Sequence, residues 1–122
     1  MDKELGILCI EDCDSDFRLI ERELRRTGLI RACRRVDNRA ALLAALAEER
    51  WDMVLSDYSV PGLYFIETLA HFKKHWPDLP LILVSGTIGE VKAAAMVKLG
   101  TRAFVSKEYL QDLVPTIQRH LK

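Results

Sequence analysis

Apolar residues fall into five short blocks, separated by stretches that alternate at helical spacing. Leu5 to Ile10 is a nearly unbroken apolar run ending in Glu11, Asp12 and, past Cys13, Asp14, which predicts a first strand with an acidic tip. Ser15 or Asp14 is expected to cap a helix carrying Phe17, Ile20 and Leu24 on one face, with Arg18, Glu21, Arg22 and Arg25 opposite and Gly28 as its stop. Ala32 to Val36, interrupted by Arg34 and Arg35, suits an edge strand. Asp37 or Asn38 then opens an alanine- and leucine-rich helix to about Glu49. The run Met53 to Ser56 delivers Asp57 to its end before Pro61-Gly62 turns the chain, and a helix follows from about Tyr64 to His75 with Ile66, Leu69 and Phe72 inward. Leu81 to Val84 delivers Ser85, Gly86 and Thr87. A helix from Gly89-Glu90 to Leu99 stops at Gly100, and Ala103 to Val105 delivers Ser106 and Lys107. The last apolar stripe comprises Leu110, Leu113, Val114, Ile117 and Leu121. Pro115 is tolerated only in a first turn, so Asp112 is the expected N-cap and the regular helix starts near Leu113.

Five strands alternating with five helices, the strands apolar on both sides, predict an α/β three-layer sandwich around a five-stranded parallel sheet. Right-handed crossovers with helices on both faces leave few topologies, and the flavodoxin-like order 2-1-3-4-5 fits best. The 122 residues suit one domain spanning 1–122, with no repeat or linker.

Charge changes this picture little overall, since 18 basic residues balance 18 acidic ones and nothing global argues for nucleic acid or a membrane surface. Locally it is uneven. Residues 1–16 carry six acids against one lysine, and residues 22–39 carry seven arginines against Glu23 and Asp37. The arginines read first as a solvated face and second as a docking patch for an acidic partner. Cys9, Cys13 and Cys33 are an odd number without metal-ligand spacing and no apolar signal segment opens the chain, so a reducing cytoplasm is the expected setting. No run approaches a membrane span.

The 2-1-3-4-5 order brings together the carboxyl ends of strands one, three, four and five, and with them Glu11, Asp12, Asp57, Ser85 and Lys107. Three converging carboxylates repel unless a cation joins them, and an all-oxygen set too small for a closed cage favours Mg²⁺ with waters retained. A carboxylate, a hard cation, an ammonium and a hydroxyl together suit phosphoryl transfer.

The motifs Cys9-Ile10-Glu11-Asp12, Ser56-Asp57-Tyr58-Ser59-Val60-Pro61-Gly62, Leu83-Val84-Ser85-Gly86-Thr87 and Ala103-Phe104-Val105-Ser106-Lys107 resemble those of the receiver domain of two-component response regulators, over essentially the whole chain. The resemblance implies that Asp57 accepts a phosphoryl group from a phosphohistidine on a sensor histidine kinase or phosphotransfer protein. It implies Mg²⁺ held by Asp12, by Glu11 largely through water, by Asp57 and by the Ser59 carbonyl. Lys107 would pair with the acyl phosphate, the Ser85 hydroxyl would turn toward it, and Phe104 would be the switch aromatic that remodels the face of helix four, strand five and helix five for a downstream protein. Ser59 and Thr87 would tune the phosphate's lifetime, and the arginine-rich side adjoins the first helix, where kinases dock in this family. The implied protein is a switch in a phosphorelay rather than a turnover enzyme, without direct nucleic-acid or membrane binding.

Two alternatives stand beside this reading: a receiver-like interaction module that does not use phosphate, and an aspartyl-phosphate phosphohydrolase, for which Ser59 supplies no second acid two residues beyond Asp57. The sequence departs from the family after Gly62, where Tyr64 and Phe65 replace a small or polar residue and a glycine. They are expected to narrow access to Asp57 or to form a partner surface. Lys107 is followed by Glu108 rather than the frequent proline, and Ala103 replaces a frequent acid, which bears on the loop and the output face rather than on a catalytic group.

Overall fold

The computed structural model describes residues 4–121; Met1, Asp2, Lys3 and Lys122, two of which enter the N-terminal charge pattern, lie outside it. Five parallel strands, β1 (Leu5–Ile10), β2 (Ile30–Val36), β3 (Met53–Ser56), β4 (Leu81–Ser85) and β5 (Ala103–Ser106), form one sheet in the order β2-β1-β3-β4-β5, as the periodicity predicts. Helices α1 (Asp14–Arg26), α2 (Arg39–Glu48), α3 (Phe65–His75), α4 (Glu90–Leu99) and α5 (Leu113–Arg119) complete the three layers.

Alternation along the strands divides the core in two, because successive side chains point to opposite faces. Ile7, Cys9, Met53, Leu55, Ile82 and Val84 pack with Ile20 and Leu24 of α1 and Leu113 and Ile117 of α5. Leu8, Ile10, Val54 and Leu83 pack with Leu42 of α2, Leu69 and Phe72 of α3, and Met96 of α4. The edge strand β2 is buried only at Ile30 and Val36; Arg31 is exposed and Arg34 and Arg35 are half-buried. Arg34 pairs with Glu48, Arg31 with Asp52, and Arg35 with Asp37; on α1 Arg18 pairs with Asp14, Arg25 with Glu21 and Arg26 with Glu23. The arginine-rich segment is thus largely a face of internal ion pairs.

Three local expectations are corrected. The N-cap of α1 is Cys13, with no side-chain cap bond, because Asp14 and Ser15 already lie inside the helix. Ile66 is 51% exposed, and Phe65, 4% exposed, faces inward in its place; Phe65, Leu69 and Phe72 stand at i, i+4 and i+7 on one face, and Ile66 lies about 100° round the helix from Phe65. A two-stranded antiparallel ribbon, Ser59–Val60 with Leu63–Tyr64, occupies the segment read as a bare turn. Pro61 followed by Gly62 at φ +82° is the type II signature that closes it. The expectation at the last helix holds: Asp112 is the N-cap and α5 starts at Leu113, after a 3₁₀ turn over Lys107–Asp112 that is broken at Tyr109.

Asn38 caps α2 as expected, its Oδ1 accepting the Ala41 N–H at 2.8 Å. An Asn38→Ala variant should lose about 1 kcal/mol of stability, read as a lowered urea midpoint with an unchanged slope.

Candidate functional site

Strand register decides which strand-end residues meet. Ile10 pairs with Ser56, so the next residues, Glu11 and Asp57, lie side by side; the Asp57 N–H donates to the Ile10 carbonyl at 2.9 Å. Ser56 pairs with Leu83 and Ser85 with Ser106, which sets Ser85 and then Lys107 at the same edge. The cluster is therefore a product of parallel pairing: β1, β3 and β5 stop at the residue before Glu11, Asp57 and Lys107, and β4 ends on Ser85 itself.

Carboxylate oxygens of Glu11, Asp12 and Asp57 all lie within 4.8 Å of one another. Glu11 is 1% exposed, Asp57 is half-buried and Asp12 is exposed. The Lys107 ammonium balances part of this charge. It stands 2.7 Å from Glu11 Oε1, 2.8 Å from Asp16 Oδ2 and 3.2 Å from Asp57 Oδ2. Glu11 Oε2 accepts the Cys13 N–H at 3.1 Å, and Asp57 Oδ1 accepts the Tyr58 N–H at 2.7 Å. Glu11 Oε1 has no partner among the described residues besides the ammonium, 2.7 Å away. One charge-assisted contact leaves acceptor capacity on this buried oxygen.

The electrostatics follow from burial and charge. Burial raises the Glu11 pKa above the usual carboxylate range, against the lowering effect of the Lys107 contact and the Cys13 N–H. Partial burial disfavours the Lys107 ammonium, but the bonds to Asp16 and Glu11 and the charge of Asp57 outweigh it, so its pKa is raised and it stays protonated. Cys9 is pushed up by burial, then by Cys33; the Cys33 thiol is pushed up to about 12, chiefly by burial and then by Glu21. Neither thiol offers a thiolate near neutral pH.

Other expected residues are placed as follows. Ser85 is buried, and its Oγ lies 3.2 Å from Thr87 Oγ1 and accepts the Thr87 N–H at 3.2 Å, making no bond to Asp57 or Lys107. Phe104 is half-buried against the α2–α3–α4 side of the core. Ser59 is exposed in the ribbon. The Phe65 ring lies tilted against that of Tyr58, centroids 5.5 Å apart, and the Lys92 ammonium stands 4.5 Å from the Tyr58 ring centre. Sequence reasoning missed Asp16 altogether. Its signal was available, an acid in the first turn of the helix that leaves the acidic strand tip, but only the fold shows that Lys107, 91 residues away, reaches it.

A parallel 2-1-3-4-5 sheet bearing an acid cluster and a lysine at its carboxyl edge defines a class, and residues 7–118 match the family model described as the response regulator receiver domain. The chain belongs to that family, whose members act in two-component systems with histidine kinases. Among curated proteins it is similar to the DNA-binding transcriptional regulator NtrC of Escherichia coli K12, 30% identical over 116 residues, which cover 93% of this chain and 24% of that protein. It is also similar to the response regulator protein FleR of Pseudomonas aeruginosa, 27% identical over 86 residues, 70% of this chain and 18% of that one. The chain thus spans about a quarter or less of these relatives. Similar solved structures include a putative response regulator from Chloroflexus aurantiacus (TM-score 0.83, 20% identity, covering 96% of this chain and 97% of that one). Another is the chemotaxis response regulator CheY4 of Vibrio cholerae (TM-score 0.81, 18% identity, covering 96% and 98%). Both support the fold. Among the described residues, no helix is long and apolar enough to cross a membrane.

Proposed function

We propose that the chain is a phospho-accepting switch: Asp57 takes a phosphoryl group from a phosphohistidine on a sensor histidine kinase or phosphotransfer protein. The observation that carries this reading is the Lys107 ammonium bonded to Asp57 beside the Glu11–Asp12–Asp57 carboxylates. In the transfer, an Asp57 carboxylate oxygen forms a bond to phosphorus, the phosphorus–nitrogen bond of the donor breaks, and the imidazole keeps the electron pair. Oδ1 is tied to the Tyr58 amide and Oδ2 faces Lys107, so the carboxylate is held in a fixed orientation.

The residues fit a divalent cation, since three oxygens converge and the buried Glu11 Oε1 has spare acceptor capacity. Asp12, Asp57 and the Ser59 carbonyl, with Glu11 largely through water, would hold Mg²⁺, which would supply neutralising charge during phosphoryl transfer. Lys107 offsets charge on the phosphoryl oxygens. Ser85 leaves Thr87 to bond the phosphoryl group, and Phe104 follows it inward, biasing the α4–β5–α5 face toward a downstream protein. The chain is not itself a turnover enzyme beyond forming and losing its own acyl phosphate, and its cysteines are free, as a reducing cytoplasm would keep them.

The test is intact mass after incubation with Mg²⁺ and acetyl phosphate. The parent should gain one phosphoryl group and Asp57→Asn none; absence of an Asp57-dependent gain would overturn the reading.

A further inference from the structure

Lys107 has one partner that the phosphoacceptor chemistry does not require. Asp16, in the first turn of α1, accepts a hydrogen bond from Lys107 Nζ at 2.8 Å, a shorter bond than the 3.2 Å one from the same ammonium to Asp57. Asp16 is not one of the three acids whose oxygens converge within 4.8 Å, so its described engagement is with the lysine rather than with the candidate cation site. Its side chain is 39% exposed, so the bond is reachable by water and can open without stranding a buried charge.

We propose that Asp16 is a positioning residue that competes with the phosphoryl group for Lys107 and so weakens the phosphorylated state. The inference rests on the reading of Asp57 as phosphoacceptor. Before phosphorylation, the ammonium's three hydrogens are shared among Glu11, Asp16 and Asp57. A phosphoryl group on Asp57 adds negative charge and several acceptor oxygens that need the same hydrogens. To serve them, Lys107 must loosen its hold on Asp16. That competition raises the free energy of the phosphorylated state relative to the unphosphorylated one.

The experiment compares the affinity of the full chain for beryllofluoride (BeF3−), a phosphoryl mimic, at saturating Mg²⁺, by calorimetry and fluorine NMR. Asp16→Asn keeps the shape and removes the charge. It should bind about two- to fivefold more tightly than the parent, the range expected for releasing one partly exposed ion pair that competes for the same ammonium. Asp16→Glu should return toward the parent, and Asp16→Ser is a second variant compatible with a first helical turn. A lost structural contact would lower Tm without tightening binding. Because the effect runs through the lysine, it should largely vanish in a Lys107→Gln background.

Unchanged or weaker binding by both Asp16→Asn and Asp16→Ser would overturn the proposal, as would an equal gain in the Lys107→Gln background. A parent that binds no BeF3− and gains no phosphoryl mass would overturn the phosphoacceptor reading itself, and the role of Asp16 with it. A parent that passes both tests while the Asp16 variants show no gain would overturn only the latter.

Discussion

A Lys107→Ala variant is expected to phosphorylate from acetyl phosphate about 10²- to 10³-fold more slowly than the parent at saturating Mg²⁺, the usual consequence of removing one preorganised donor from developing oxyanion charge. The geometry supplies the reason. Lys107 is the one cation among the described residues that contacts Glu11, Asp16 and Asp57 together. Its pKa is raised, so the ammonium is present throughout the neutral range and nothing is gained by protonating another group. Without it, the buried Glu11 carboxylate has only the Cys13 N–H, and the metal-free protein should lose about 1–3 kcal/mol, the cost of an under-satisfied buried polar group. Mg²⁺ should recover part of that loss, because the cation then performs the neutralisation that the lysine performed. Single-turnover mass spectrometry gives the rate, and urea unfolding with and without Mg²⁺ gives the stability. Parent-like rates in the variant would mean that the lysine has no part in the transfer.

Phe65→Ala should destabilise the protein by about 3–5 kcal/mol, a typical cost for emptying a buried aromatic site. Out of the roughly 5–15 kcal/mol total stability of a domain, that is a large share. Phe65 lies in the α2–α3–α4 half of the core, 4% exposed, with its ring 5.5 Å from that of Tyr58. The neighbouring Tyr64 is 73% exposed, and Tyr64→Ser should stay within about 0.5 kcal/mol of the parent. Urea midpoints of the two single variants separate these effects. The expectation that both aromatics narrow access to Asp57 or form a partner surface therefore divides: Phe65 is packing, and Tyr64 alone is available at the surface. Tyr58 lies between the Phe65 ring and the Lys92 ammonium.

Much of the site was legible in the chain because strand ends announce themselves. Apolar runs that stop at Glu11, Asp57, Ser85 and Lys107 carry their own boundaries, and helices covering both faces leave little freedom in strand order. What stayed hidden lies in helix phase and long-range reach. Phe65 rather than Ile66 completes the inward stripe of α3 with Leu69 and Phe72, since spacings of four and seven residues stay on one face while a single residue turns about 100°. The N-cap of α1 was misplaced for a related reason: Cys13, Asp14 and Ser15 offer no contrast sharp enough to fix the first turn.

The sequence by itself determined the layers, the strand order and the identity of the residues at the sheet's carboxyl edge, because hydrophobic period and turn chemistry are local properties that survive without coordinates. Only the tertiary structure decided how those residues share charge. The Ile10–Ser56 register set Glu11 beside Asp57, and the docking of α1 beside the β5 end gave Lys107 a third carboxylate in Asp16. Electrostatic coupling falls off with distance in space, not in sequence, so a bond spanning 91 residues leaves no periodic trace in the chain.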